Sequence, residues 1–457
     1  MSPPYRTRVT SAAVEGHPVR LPAAISAVDA ARAAKRTDAV LRRAFRAAPP
    51  SPFVTVDAAS GTVRFNHVAG QIPLGRDIYL VRPKFMAAPN WTARLASWAA
   101  AGHEIRPRSV AVLDGPVDAR SMPTGLADLL ARHYAALLKH ALDNQPLNGF
   151  QRVRRNLPAA RGRLLVAQAI SLPPHRRNLL PYEFSRLETS VPALLLLAWA
   201  GTHLAHLSRL PSTRQALRSL NEQLPPPSAA PPQFDLAALR LPPGSDAYRE
   251  PLRIAAALVA GARAATAAER RGGTSSASLA VCTYAAFEGL VTLAYRDAAR
   301  QLGLRHRQQA PAPIGSRSAA PADRRAYAAE HDSRTAYADD LIFGRNQGRP
   351  VRLTSDTKYK TGQPFRAKVD REDVYQVFTT AVAAQADTAA VVQPLDEAVP
   401  KGTTGVDILD VPGGEHDALV RIGLLRLDLR GSTASPVADA AEQVVRLITA
   451  MTGARPA

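Results

Sequence analysis

The spacing of apolar positions changes several times along the chain, and each change predicts a different element. From Phe53 to Phe85, short β-branched and aromatic runs (Phe53-Val54-Thr55-Val56, Val63-Arg64-Phe65, Ile78-Tyr79-Leu80-Val81) are punctuated by Gly61, Gly70 and Gly75, which predicts a small β-rich module. Leu and Ala recur at three- and four-residue intervals from Leu126 to Leu142, and again to Leu207 from Ser190, a plausible N-cap, so both stretches predict helices. Ala277 to Leu304 keeps that period and ends at a Gly-Leu pair, predicting a helix with Glu288 in its first half. Asp339-Asp340-Leu341-Ile342-Phe343 then reads as a strand entering a turn from Gly344 to Pro350, and Val351 to Lys360 as the returning strand of a hairpin centred near Gln347. Asp373-Val374-Tyr375-Gln376 opens a helix running to about Ala386.

Residues 1–50 alternate Ala-rich pieces with Arg and Pro and read as a leader with a short helix. Pro225-Pro226-Pro227 opens a stretch too rich in proline for helix and too poor in apolar side chains for a core, which predicts a linker over 223–245. A second such stretch, Ala310 to Asp323, predicts a loop insertion over 309–325. The expected organisation is therefore α+β: a β-rich module over 51–120, a helical middle region over 121–222 and a C-terminal domain over 246–457. The longest apolar run, Val191 to Ala200, is about half a bilayer span, so no membrane segment is expected.

Charge adds a class of partner. A formal net charge of +20 favours a polyanion, with nucleic acid the leading candidate, although an Ala-, Arg- and Pro-rich composition also follows from a GC-rich genome. The basic stretch with Arg152, Arg154, Arg155, Arg161 and Arg163, followed by Arg176 and Arg177, fits phosphate contact or a solvated helix face. Cys282 is the single cysteine, so internal disulfides, Cys-based zinc sites and iron–sulfur clusters are excluded. With no signal-type segment after Met1 to Thr10, a reducing cytoplasm is the expected compartment. Lys401-Gly402-Thr403-Thr404-Gly405 lacks the order of a phosphate-cradling loop, so nucleotide hydrolysis is not expected of this chain. His203 and His206 sit one helical turn apart without a third ligand, which fits ordinary packing better than a metal site.

The candidate chemistry lies in the hairpin. Strand alternation puts Asp356 and Lys358 on one face, and folding about Gln347 brings Asp340 beside Thr354 to Asp356. Phosphodiester cleavage needs hard oxygen ligands for Mg²⁺, which stabilises charge on the phosphate and activates water, and a cation to orient the nucleophile. Asp340 and Asp356 are the expected ligands, Lys358 the group that positions the water, and Glu288 an outer contributor. Alone, an Asp-x-Lys tripeptide is a common surface ion pair worth about 1 kcal/mol or less. Its company gives it weight: a helix acid, a strand acid, the Asp-x-Lys strand and a Tyr-Gln helix follow in order.

In Phe287-Glu288, Asp340-Leu341-Ile342, Asp356-Thr357-Lys358-Tyr359-Lys360 and Asp373-Val374-Tyr375-Gln376, the chain resembles the McrC family. That family supplies the nuclease subunit of McrBC-type 5-methylcytosine-specific restriction systems, within the restriction-endonuclease-like superfamily. Val81-Arg82-Pro83-Lys84, Arg161-Gly162-Arg163-Leu164 and Pro181-Tyr182-Glu183-Phe184 extend the likeness in order along the chain. It departs from the family pattern at Asp339, where proline is usual, so that either Asp339 or Asp340 is the ligand, and at Ala193, where asparagine is usual. The resemblance implies a PD-(D/E)xK core, a mixed sheet flanked by helices. It implies a Mg²⁺-dependent endodeoxyribonuclease, Mn²⁺ being the alternative metal, with Asp340, Asp356, Lys358, Glu288 and Gln376 as catalytic residues. Arg161, Arg163, Lys360 and Tyr375 would contact double-stranded, modified DNA. It also implies an McrB-like AAA+ GTPase hexamer as partner, docking on the β-rich module, in defence against foreign DNA. Two alternatives stand beside it: a nuclease-fold subunit that has lost cutting and stimulates a GTPase, and a stand-alone structure-specific nuclease.

Overall fold

The chain opens with β1 (Val9–Val14), β2 (Pro18–Arg20), α1 (Ala27–Phe45), β3 (Val54–Asp57), β4 (Thr62–Phe65), β5 (Val68–Leu74), β6 (Asp77–Arg82), α2 (Trp91–Gly102) and β7 (Val110–Val112). Then come α3 (Thr124–Asn144), β8 (Asn148–Leu157), β9 (Arg163–Leu164), α4 (Val166–Ile170), β10 (Leu180–Thr189), α5 (Val191–Leu207), α6 (Pro211–Asn221) and α7 (Arg249–Glu269). The C-terminal part holds β11 (Leu279–Cys282), α8 (Thr283–Gln301), β12 (Arg305–Gly315), β13 (Arg334–Asn346) and β14 (Arg349–Thr357). It ends with α9 (Arg371–Ala383), β15 (Thr388–Pro394), β16 (Val406–Val411), β17 (Val420–Leu427) and α10 (Pro436–Thr452). This computed structural model describes residues 9–22, 25–46, 49, 51–75, 77–86, 90–102, 105, 108–113, 122–144, 148–173, 178–189, 191–227, 241, 244–269, 278–315, 334–360, 371–395, 406–411, 420–430 and 435–455. Two units emerge, one from Arg8–Leu113 joined with Ser278–Ala457, the other from Asp114–Ala277.

In the Asp114–Ala277 unit, α3 packs on α5, α6 and α7. Buried Asp128 on α3 accepts from Ser208 Oγ at 2.8 Å and from the Arg209 amide at 2.7 Å, which ties α3 to the end of α5. The region is not purely helical as expected: β8 and β10 pair antiparallel, and β9 adds to β10. The unit also includes α7, so the boundary falls near Ser278 rather than at residue 246. Most of the expected linker, 228–240 and 242–243, lies outside the described residues, as do Ser190, Arg176, Arg177 and the segment 401–405.

The other unit corrects the N-terminal reading. Among the described residues up to Arg46, the stretch from Ser26 is a packed helix: Ser26 Oγ caps α1 by accepting from the Asp29 amide at 3.1 Å, and the helix buries Ala30, Ala33, Ala34, Leu41 and Phe45. Nor do the strands of 51–120 stand apart. A five-stranded sheet runs β1-β6-β5-β11-β7, so a strand from the C-terminal part lies between two N-terminal ones. That insertion needs Gly70 at φ +114°, because a side chain there would collide with the Leu279 carbonyl oxygen. Leu279 to Cys282 was expected to begin a helix. Four successive buried residues make it a fully covered strand instead, a pattern that periodicity alone does not separate from a buried helix.

A six-stranded mixed sheet, β12-β13-β14-β15-β17-β16, carries the rest. β14, β15 and β17 are parallel, while β12, β13 and β16 pair antiparallel with their neighbours. The expected loop insertion starts inside β12, which continues through Pro311 and Pro313 to Gly315. Because β12 pairs only with β13, it is an edge strand, where proline's missing N–H is tolerated. Residues 316–333 lie outside the described residues. The β13–β14 hairpin turns at Gln347 (φ 49°) and Gly348 (φ 80°), the positive-φ pair of a type I′ turn. α9 covers one face of the sheet through Val377, Ala381, Val391, Ile422 and Leu424. On the other face α8 meets β12 and β13, and α10 lies over Gly423, whose missing side chain leaves room for Leu447 and Met451.

Candidate active site

The hairpin register decides which acid faces which helix. Asp340 is paired with Ser355, so one step further along each strand Asp339 lies opposite Asp356 and shares its face. Asp339 Oδ2 accepts from the Thr357 amide at 2.8 Å, and its Oδ1 accepts from Gln309 Nε2 at 3.1 Å. Asp340 points the opposite way, into the layer under α8. It is fully buried, with His306 Nε2 at 2.7 Å from Oδ1 and Thr292 Oγ1 donating to Oδ2 at 3.4 Å. The expected pairing of Asp340 with Asp356 is therefore not what the register produces. A slip of one residue in a two-residue alternation exchanges the two faces.

On the α9 face the side chains form one network. The Lys358 ammonium lies 2.9 Å from Asp356 Oδ2 and donates to Gln376 Oε1 at 2.8 Å. Gln376 Nε2 in turn donates to Asp356 Oδ1 at 3.3 Å, so one amide spans the acid and the lysine. Asp373, buried at the start of α9, accepts from Lys360 Nζ at 3.0 and 2.9 Å and lies 3.8 Å from Lys358 Nζ. In the sequence Asp373 stands out only as the start of a helix. The signal that points to it is its place one helical turn before Gln376.

Burial pushes the Asp356 carboxyl up to about 6; the Lys358 contact opposes the shift, and the nearby charges of Asp339 and Asp373 add to it. Burial also raises Asp340, with His306 opposing. Among the described residues, no group of three or more His, Cys, Asp or Glu side chains forms a metal cluster. A cation here would rest on Asp339, Asp356 and waters, a donor set that suits Mg²⁺. The fit is supported by Asp356 itself, a carboxylate crowded by burial and like charges, which a divalent cation would relieve.

Glu288 is half-buried on α8, one turn before Thr292, on the helix that covers the Asp340 face. Tyr375 is 67% exposed and lines a groove of about 520 Å³ with Val374, Ile408 and Leu409. Arg161 and Arg163 are exposed in the Asp114–Ala277 unit, where the Arg161 guanidinium lies 4.4 Å from the Phe184 ring centroid. Arg154 pairs with Glu183 there at 2.9 Å. Among the described residues, no helix is long and apolar enough to cross a membrane.

Comparison with known proteins gives a family match: the McrBC model, described as McrBC 5-methylcytosine restriction system component, matches residues 63–394. No curated protein matches. Among solved structures, the chain is similar to one in the refined half-complex from the tetradecameric assembly of Thermococcus gammatolerans McrB AAA+ hexamers with bound McrC. That match has 12% identity over 96% of this chain and 100% of that one, at a TM-score of 0.49. A second, in the cryo-EM structure of the Thermococcus gammatolerans McrBC complex, has 16% identity over 65% of this chain and 90% of that one, at a TM-score of 0.31.

Proposed function

The chain belongs to the family of McrBC 5-methylcytosine restriction system components, and from that membership we propose that it is the DNA-cutting subunit of such a system, a Mg²⁺-dependent endonuclease of the PD-(D/E)xK type. One observation carries the reading: Asp339 and Asp356 share a sheet face on which Lys358 contacts both Asp356 and Gln376. Asp339 and Asp356 would hold the cation, with Mn²⁺ as the alternative metal. When bound, the cation supplies charge stabilisation at the phosphate and acidifies a water.

The chain's own residues do the positioning. Lys358 is held in place by Asp356 on one side and the Gln376 side-chain oxygen on the other, ready to orient the attacking water and offset developing negative charge. Gln376 holds the distance between acid and lysine by bonding both. Lys360, exposed beside Asp373, and Tyr375 give the rim a cation and an aromatic face for the DNA backbone and bases. Asp339, which stands where the family usually has proline, supplies the second acid on this face. The departure at Asp339 is what favours the inactive reading, and the presence of both Asp356 and Lys358, paired at 2.9 Å, weighs against it.

The partner in this reading is an AAA+ GTPase hexamer, and the substrate is modified double-stranded DNA. The test combines the purified full chain with its partner, GTP, Mg²⁺ and methylated DNA. Wild type is expected to cut, while Asp356→Asn and Lys358→Met bind the partner but do not cut. If wild type stimulates GTP hydrolysis and never cuts, the subunit is an assembly factor. Cutting without the partner would identify a stand-alone nuclease.

A further inference from the structure

Beyond Thr357 the catalytic strand leaves the sheet, yet each of its next residues is held by a different element. Thr357's amide donates to Asp339 on β13, and Lys358's amide donates to the Val392 carbonyl on β15 at 2.8 Å. Tyr359 is held by the N-terminal strands. Its hydroxyl donates to Glu15 Oε2 at 2.9 Å, and its carbonyl accepts from Lys84 Nζ at 3.4 Å. The Lys84 ammonium lies 4.9 Å from the Tyr359 ring centroid, and Phe85 meets that ring edge-on at 5.0 Å.

Glu15 is 1% exposed and follows directly on β1. Its Oε1 accepts from Thr283 Oγ1 at 2.7 Å, its Oε2 accepts from the Lys84 amide at 3.3 Å, and its own amide donates to the Arg82 carbonyl. Burying a carboxyl group is costly unless its oxygens are hydrogen-bonded, as both oxygens of Glu15 are. Here its partners are the start of α8, the end of β6 and the residue next to Lys358. Past the Lys358 amide's bond to Val392, Tyr359 lies beyond the end of β14.

We propose that Glu15, Lys84 and Tyr359 form a clamp through which the N-terminal sheet positions Lys358 for catalysis. This rests on the nuclease reading above. Tyr359 is a positioning residue, acting through the backbone it shares with Lys358, and Glu15 is its anchor. The clamp couples the register of the N-terminal strands to the geometry of the cutting centre, so a shift of β1 against β6 reaches Lys358 through two side chains.

Two measurements on the full chain with its partner test this. Single-turnover cleavage is expected to fall about tenfold in Tyr359→Phe and in Glu15→Gln, the loss of one well-placed hydrogen bond, with KM for DNA unchanged. The double variant should be no slower than either single one, because both break the same link. Amide exchange in the segment 353–360 should quicken about tenfold in each variant, while α10 keeps its protection. Ile72→Val, in the core of the same sheet, is the control for simple loss of stability and should keep both the wild-type rate and the wild-type exchange. Wild-type rate and protection in Tyr359→Phe overturn the clamp, as does an equal slowing in Ile72→Val. If the wild type cuts nothing, the nuclease reading fails, and the exchange measurement still decides whether the clamp holds this segment.

Discussion

Replacing Asp356 with Asn tests the electrostatic argument directly, because it removes a charge the fold tolerates poorly and leaves its shape. Folded Asp356 takes up its proton at about 6, against 3.8 for the free side chain, so between those values the folded chain binds more protons than the unfolded one. Stability contributed by this group is therefore lost as pH rises through that window and stays lost above it. Roughly two pH units at 1.36 kcal/mol each give about 3 kcal/mol as the upper bound at neutral pH. Asn keeps an acceptor for Gln376 Nε2, and Lys358 keeps its bond to Gln376. In EDTA at pH 7.5 the variant should be more stable than wild type by about 1–3 kcal/mol, a rise in Tm of about 2–8 °C, and the gap should close by about pH 4. Mg²⁺ should reverse the order, because binding stabilises wild type by about 2.7 kcal/mol at a hundred times Kd and the variant far less. Thermal melts at both pH values, with and without Mg²⁺, measure all four states. A variant less stable than wild type at pH 7.5 in EDTA, or a gap unchanged at pH 4, would refute the claim that Asp356 is a strained ligand awaiting a cation.

Asp339→Asn should lower cleavage about a thousandfold, while Asp340→Asn keeps it within a few-fold and instead lowers stability by about 1–3 kcal/mol through the buried bond to His306; rate and melt together separate the two. Cleavage at low Mg²⁺ should decline as pH falls through about 6, as Asp356 takes up its proton, and raising Mg²⁺ should move that limb to lower pH; a limb independent of Mg²⁺ contradicts this. Gly348→Val should destabilise the hairpin by about 1–2 kcal/mol, since its φ of 80° suits glycine, and denaturant midpoints read the change. Val166 and Ile170 are 57% and 75% exposed beside Arg161 and Arg163, so Ile170→Asp should weaken assembly with the partner in a pull-down while leaving the Mg²⁺-dependent rise in Tm intact.

What the sequence disclosed and what it withheld divide along the range of the interactions involved. The existence of the hairpin, the helices from Leu126 and from Asp373, and the alternation that puts Asp356 with Lys358 are local properties. They were legible because turn chemistry and side-chain period lie within a few residues of each other. The placement of β11 between β5 and β7 was not legible. It depends on a glycine at one position leaving space for a strand far along the chain, and a four-residue apolar run is silent about its neighbours. The choice between Asp339 and Asp340 falls between these cases. The alternation was readable, but its phase relative to the partner strand depends on the turn closing between Gln347 and Gly348, half a residue from the expected centre, and that half residue sends one acid to the Asp356 face and the other to His306. Motif order pointed to Asp340 because the following Leu-Ile matches the family pattern. Register answers to the backbone, and there the bond from the Thr357 amide to Asp339 fixes the end of β14 to its neighbour. The same reasoning changes how the partner's seat should be sought. Deleting the strands of 51–120 removes the neighbours of β11 and the Lys84 side of the clamp on Tyr359 together, so loss of cutting in such a deletion does not by itself report a lost contact, and only surface substitutions that leave β5, β7 and Lys84 in place can tell the two apart.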